Sequence, residues 1–132
     1  MRILVVDDNR DILDLLRRLF IASSYEVATA RDGREALQQY STFDPHLVIL
    51  DVNLPYHSGW DLCLQMKSRR SLPVMMLTVR AEPNDYDHSQ SAGADAHIIK
   101  PFELAGLLDR AEQLLYQYYG IERARVRGQQ RY

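Results

Sequence analysis

One cysteine, Cys63, excludes an internal disulfide framework and fits a reducing cytosol. Charge of one sign is also lacking. The 18 acidic and 16 basic residues leave a net charge of −2, which gives no global pull toward nucleic acid or an anionic membrane. No apolar run reaches membrane-spanning length. No basic leader and apolar signal region precedes the first apolar run at Ile3, so a cytoplasmic location is expected. Internal repeats, low-complexity tracts and interior linkers are absent. His46, His57 and His88 share no metal-ligand spacing and read as surface side chains, and Cys63 reads as a small core residue rather than a reactive thiol.

What is present is a chain of 132 residues with 46% apolar and 26% charged residues, enough for one domain with a real core. Five short apolar runs, at 3–6, 26–30, 47–50, 74–77 and 96–99, alternate with helical patterns. Three of the runs are almost continuously aliphatic, as strands covered on both faces are, and the segments between them are long enough for crossover helices. A parallel sheet follows.

The first helix carries Ile12, Leu16, Leu19 and Phe20 on one side and Arg10, Asp14, Arg17 and Arg18 on the other, with Asp8 or Asn9 as its N-cap. A second helix follows Asp32-Gly33 and buries Ala36, Leu37 and Tyr40. A third starts near Ser58 and buries Leu62, Cys63 and Met66, with Trp60 at the core edge. The fourth, in "EPNDYDHSQSAG", has almost no apolar stripe and reads as loosely held. The last keeps Leu104, Leu107, Leu108, Ala111, Leu115 and Tyr118 at helical spacing and stops at Gly120. Residues 1–119 form the domain. Residues 120–132 are a basic tail with four arginines against one glutamate, read as a disordered end or the start of a linker. No helix-turn-helix follows Gly120, so this segment is not expected to bind nucleic acid directly.

The unusual feature is charge at the strand ends. In "ILVVDDNRD" an apolar run leads straight into Asp7 and Asp8. Two ionised carboxylates about 4 Å apart repel by roughly 4 kcal/mol at a protein-like effective dielectric, so a cation, a proton or water must offset them. Strand three ends in Asp51, strand four in Thr78 and strand five in Lys100, followed by Pro101. In a doubly wound parallel sheet the carboxyl ends of the strands share one rim, where ligands bind. Three carboxylates, a hydroxyl and an ammonium thus converge there. Such oxygen donors suit a hard divalent cation such as Mg²⁺, with open positions for phosphoryl oxygens. Pro55 and Gly59 shape the loop after Asp51, and the Asn53 carbonyl could face the same cleft. A lysine next to proline in "KPF" is fixed in direction, and such a bond can be cis.

The motifs "LVVDDN", "LVILDVNLPYHSG", "VMMLTV" and "GADAHIIKPF", in this order and at strand ends, resemble the receiver domains of two-component response regulators over residues 1–119. The resemblance implies a flavodoxin-like fold: a five-stranded parallel sheet in the order 2-1-3-4-5 with five helices. It implies that Asp51 accepts a phosphoryl group from the phosphohistidine of a sensor histidine kinase or phosphotransfer protein. Asp8, Asp51 and the Asn53 backbone carbonyl would hold Mg²⁺, with Asp7 acting through water. Lys100 would pair with Asp51 at rest and with the phosphoryl group afterwards, and Thr78 would hydrogen-bond that group. Such a protein is a phosphoacceptor that assists its own reaction rather than an enzyme. The resemblance also implies a switch in which Thr78 moves and His97, on strand five, turns inward. That change reshapes the face of the fourth helix, strand five and the last helix for a downstream effector, which the sequence does not identify.

Four positions depart from the family pattern or tune it. His97 stands where tyrosine or phenylalanine is commoner and brings a group that titrates near neutrality. Val79 replaces a usually small residue and is expected to crowd the phosphorylation pocket. Asn53 and Arg80 sit where they could control attack of water. The family's DNA-binding members that dimerise through the last helices carry a second aspartate after "GAD" and an arginine early in the last helix; Ala96 and apolar residues near Leu107 speak against that mode here. Tyr116 and Tyr119, if exposed, are candidates for an effector contact or a weak homodimer. Two other functions compete. A phosphatase of the haloacid dehalogenase type uses similar groups but wants a D-x-D arrangement and a cap segment, which this chain lacks. A silent scaffold would not need the full Asp-Asp-Asp-Thr-Lys set.

Overall fold

A computed structural model describes residues 1–79 and 92–120. Strand β1 (Arg2–Val6) is followed by α1 (Arg10–Ala22), β2 (Glu26–Ala30), α2 (Gly33–Phe43) and β3 (Leu47–Asp51). A small antiparallel hairpin, β4 (Asn53–Leu54) with β5 (His57–Ser58), leads into α3 (Gly59–Arg69). Then come β6 (Val74–Thr78), β7 (Ala96–Ile99) and α4 (Leu104–Tyr119). The five long strands form one parallel sheet in the order β2-β1-β3-β6-β7. Counted over long strands alone this is 2-1-3-4-5, the flavodoxin-like arrangement. Four helices lie among the described residues. The fourth helix expected from the sequence falls almost wholly outside them, as do Arg80, His88 and the tail beyond Gly120.

The strands form because their residues can be buried on both faces. Every residue of β3 and β6 is buried. Side chains alternate across the sheet with the period of two that a strand imposes. Leu4, Val6, Val48, Leu50, Val74 and Met76 pack on one face against Ala36, Tyr40, Leu62, Cys63 and Met66 of α2 and α3. Ile3, Val5, Leu47, Ile49, Met75 and Leu77 pack on the other against Leu13, Leu16 and Phe20 of α1 and Leu107, Ala111, Leu114 and Leu115 of α4. The result is three layers with the sheet in the middle.

Local signals set the helix limits. Asn9 rather than Asp8 caps α1, its side-chain oxygen accepting from the N–H groups of Asp11 and Ile12. Asp32 caps α2 and Ser58 caps α3. Gly120 ends α4 at φ 92°, a conformation that suits glycine. The buried stripe of α1 is centred on Leu13, Leu16 and Phe20, while Ile12 and Leu19 sit at its half-buried margins. The hairpin was not expected, because strands of two residues leave no periodic pattern.

Candidate functional site

The topology brings the ends of β1, β3, β6 and β7 side by side. Asp7 continues β1 and extends its ladder, donating its backbone N–H to the Ala30 carbonyl at 3.1 Å. Asp51 closes β3, Thr78 closes β6, and Lys100 follows β7, with its N–H bonded to the Thr78 carbonyl at 2.6 Å. The Lys100–Pro101 peptide bond is cis.

The side chains of Asp7, Asp8, Asp51 and Lys100 come together at this rim. Asp7, Asp8 and Asp51 each offer a carboxylate oxygen, and these oxygens lie within 4.8 Å of one another. Asp7 is wholly buried, Asp51 and Thr78 are almost so, and Asp8 is exposed. Lys100 Nζ lies 2.9 Å from Asp7 Oδ2 and 3.5 Å from Asp51 Oδ2. Lys100 therefore pairs with Asp51, as expected, but its shorter contact is to Asp7. The N–H of Asn9 donates to Asp7 Oδ1 at 2.9 Å, and the N–H of Asn53 donates to Asp51 Oδ1 at 3.1 Å. Both Asp7 oxygens are thus bonded, which is how a carboxylate survives complete burial. Nothing in the sequence pattern marked Asn9 as a donor to the site; only the turn after β1 reveals it.

Burial pushes the Asp51 carboxyl up to about 6, and the nearby Asp7 charge adds to the rise. The Asn53 N–H and Lys100 oppose it, and Asp8 raises it further. One ammonium thus does not neutralise three carboxylates. An oxygen-rich cluster with surplus negative charge and one exposed member, Asp8, fits a hard divalent cation better than a soft one. Asn53 is exposed, two residues after Asp51 in β4.

The other expected residues fall as follows. His97 is half-buried on β7, its ring edge-on to Trp60 with centroids 5.9 Å apart, and its Nε2 is buried without a hydrogen-bond partner among the described residues. Trp60 packs against the core from the start of α3. Val79 is 61% exposed and lines a surface cavity with Ile12, Leu15, Lys100, Pro101 and Phe102. The expected crowding of the carboxylate pocket is thus replaced by an outward-facing apolar side chain. Tyr116 is exposed, but Tyr119 is half-buried and bonded to His46, so only Tyr116 remains available for a contact. His46 is likewise not a free surface side chain: its Nδ1 accepts the Arg2 N–H at 2.9 Å. In α4, Arg110 lies one turn beyond Leu107 and donates to the Asp95 carbonyl at 3.2 Å.

The sequence and the fold are similar to those of known proteins. The sequence model of the response regulator receiver domain matches residues 3–112. The response regulator MprA of Mycolicibacterium vanbaalenii is 41% identical over 116 residues, which are 87% of this chain and 50% of that protein. The transcriptional regulatory protein PrrA of Mycobacterium tuberculosis is 39% identical over 115 residues, 86% of this chain and 49% of the relative. The chain spans about half the length of these curated relatives. Among solved structures, a CheY-like receiver domain protein from Methanospirillum hungatei superposes with a TM-score of 0.84 at 32% identity, covering 88% of this chain and 94% of that one. The receiver domain of Klebsiella pneumoniae RstA, activated with BeF3, gives 0.82 at 26% identity, covering 87% and 98%. A family match over most of the chain, relatives near 40% identity and the same sheet order agree: this chain belongs to the response regulator receiver domain family.

Proposed function

We propose that Asp51 is the phosphoacceptor of a Mg²⁺-dependent transfer from a sensor kinase phosphohistidine, and that the chain is a stoichiometric switch rather than a turnover enzyme. The observation that carries this reading is the grouping of Asp7, Asp8 and Asp51 around a common point with Lys100 Nζ 3.5 Å from Asp51. Asp8, Asp51 and the Asn53 carbonyl would hold the cation, with Asp7 linked through water. Bound there, Mg²⁺ would supply positive charge against the equatorial phosphoryl oxygens.

The chain's own groups divide the remaining work. An Asp51 carboxylate oxygen attacks phosphorus, an O–P bond forms, and the P–N bond of the donor breaks with its electron pair leaving on the imidazole. Lys100 moves from the carboxylate to a phosphoryl oxygen and holds the charge that arrives. Thr78, at the end of β6, donates its hydroxyl to the same group. The Asp51 carboxyl, held up to about 6, is still ionised in the majority of molecules at neutral pH and so remains a nucleophile. Phosphoryl transfer asks chiefly for in-line positioning and charge neutralisation, and the rigid strand ends provide both. His97 and the face beside β7 then report the event to an effector, which in relatives where the matched segment is about half of the chain would be a second domain.

Acetyl phosphate with Mg²⁺ tests the reading. The expected result is one base-labile phosphate per chain by intact mass, absent in Asp51→Asn and absent with EDTA. Continuous hydrolysis without a phosphorylated form would favour a phosphatase, and no labelling at all would favour a scaffold.

A further inference from the structure

A second convergence of polar side chains lies at the opposite, amino-terminal end of the strands, and His46 is its centre. His46 donates its backbone N–H to the Arg2 carbonyl at 2.8 Å. In a regular parallel ladder the N–H of Arg2 would then find the Asp44 carbonyl. That carbonyl is instead taken by Arg2's own Nε at 2.9 Å. The imidazole supplies the missing acceptor: Nδ1 receives the Arg2 N–H at 2.9 Å. From the other side, the Tyr119 hydroxyl donates to the His46 carbonyl at 2.7 Å, and the two rings meet edge-on with centroids 5.2 Å apart. Tyr119 is the last residue of α4.

The surroundings favour a neutral ring. From β1 it faces Arg2 and the amino terminus; from the loop after α3 it faces Arg70. The one acid facing it among the described residues, Asp44 at the end of α2, is shared between Arg70 at 3.2 Å and Arg2 at 3.5 Å. Tyr119 faces it from α4 and carries no charge at neutral pH. Burial and these cations hold His46 below its ordinary value of 6.5, against the pull of Asp44.

We propose that neutral His46 is an acid-sensitive latch: it completes the end rung between β1 and β3 and seats the Tyr119 ring, so that protonating it frees the last turn of α4, from which the chain continues past Gly120. The inference does not depend on phosphoryl transfer, which lies at the other end of the sheet. A protonated Nδ1 can no longer accept, so the Arg2 N–H loses its partner while a third cation joins Arg2 and Arg70. Because the folded value lies below the unfolded one, the unfolded or opened state binds the extra proton. The latch is therefore fully engaged above 6.5 and weakens as pH falls through that value toward the folded one.

Hydrogen exchange by NMR on the full chain, from pH 5 to 8, tests this. Protection factors of Arg2 and of Gly120, whose N–H bonds the Tyr116 carbonyl, are expected to fall below neutrality. The fall should be about tenfold for each unit by which His46 titrates below its ordinary value. In His46→Asn, whose Oδ1 can accept the Arg2 N–H without titrating, the profile is expected to be flat. The same profile in both proteins would overturn the latch. The wild-type protein alone provides a second decision, because a His46 ring that titrates at or above 6.5, or whose titration leaves the Arg2 amide unmoved, also overturns it.

Discussion

At the scale of single residues, the carboxylate cluster is a place where the proposed function opposes stability. Asp51 titrates near 6 in the fold against 3.8 ordinarily, chiefly because burial penalises its charge. Between those values the unfolded chain has already released the proton that the fold retains, so metal-free stability falls as pH rises from about 4 to about 6 and stays low above. Two units correspond to about 3 kcal/mol at most. Asp51→Asn, which cannot ionise, is expected to gain on the order of 2 kcal/mol over wild type at pH 7.5 in EDTA and little at pH 4. Urea denaturation of both proteins at the two pH values measures the difference; an equal gain at both would remove the ionisation argument. Lys100 acts in the other sense, because its ammonium is 2.9 Å from the fully buried Asp7. Lys100→Met is expected to cost about 3 kcal/mol in metal-free protein, since it strands a buried charge, and Asp7→Asn in the same chain should restore most of that loss. The sequence made Asp7, Asp8, Asp51, Thr78 and Lys100 legible because each stands at or just beyond the end of a strand, where residue type and topology coincide. The partner of Lys100 was less legible, since which of two carboxylates is nearer depends on side-chain geometry that no spacing encodes.

Secondary-structure elements carry the proposed switch and its supports. His97 on β7 contacts Trp60 at the start of α3, the chain's one tryptophan, so any movement of the imidazole changes the surroundings of a single fluorophore. If His97 turns on phosphorylation, acetyl phosphate should shift Trp60 emission in wild type and leave it nearly unchanged in His97→Ala; equal responses would mean that the ring does not move. Below the switch, β7 is fastened by Asp95. Its Oδ2 accepts from Lys67 Nζ at 2.6 Å and from the Val74 N–H at 2.9 Å, and its Oδ1 accepts from the Tyr118 hydroxyl at 2.6 Å. Lys67 also donates to the Leu72 carbonyl at 3.0 Å. This ties α3, β6, β7 and α4 together away from the carboxylates. Tyr118→Phe is expected to cost about 1 kcal/mol and Asp95→Ala about 3 kcal/mol, the latter because it strands Lys67 and the Val74 N–H. Thermal denaturation measures both, and the phosphorylation rate with acetyl phosphate should stay near wild type. The sequence showed Tyr118 only as helix packing, because Lys67, Asp95 and Tyr118 are far apart along the chain and none breaks its local pattern.

The whole molecule explains why the fold was readable while parts of its fine structure were not. Five apolar runs separated by helical segments admit few arrangements other than a covered parallel sheet, and the alternation of Ile3, Val5 and Leu4, Val6 between the two faces follows from strand geometry alone. Tertiary exceptions such as His46 completing a ladder leave no such trace. Gly59 shows how closely the global packing bears on the site. A Cβ at this position would run into the Asp51 carbonyl oxygen and stand 2.8 Å from Val52 Cα, both main-chain atoms that cannot swing aside. Gly59 also donates its N–H to the Val52 carbonyl at 2.9 Å, so α3 starts pressed against the strand end that carries Asp51, the proposed phosphoacceptor. Gly106 is the internal control, since a Cβ there meets nothing within 4 Å. Gly106→Ala in α4 should therefore stabilise the protein by about 0.5–1 kcal/mol, through helix propensity, with unchanged phosphorylation. Gly59→Ala should destabilise it by about 1–3 kcal/mol, as overpacking does. If Asp51 is displaced from Lys100 and Asp8 to relieve the strain, phosphorylation by acetyl phosphate should slow as well, even at temperatures where the variant is fully folded. A Gly59→Ala protein that lost stability but labelled at the wild-type rate would show that the helix, not the strand end, had yielded, and that the close approach serves packing alone.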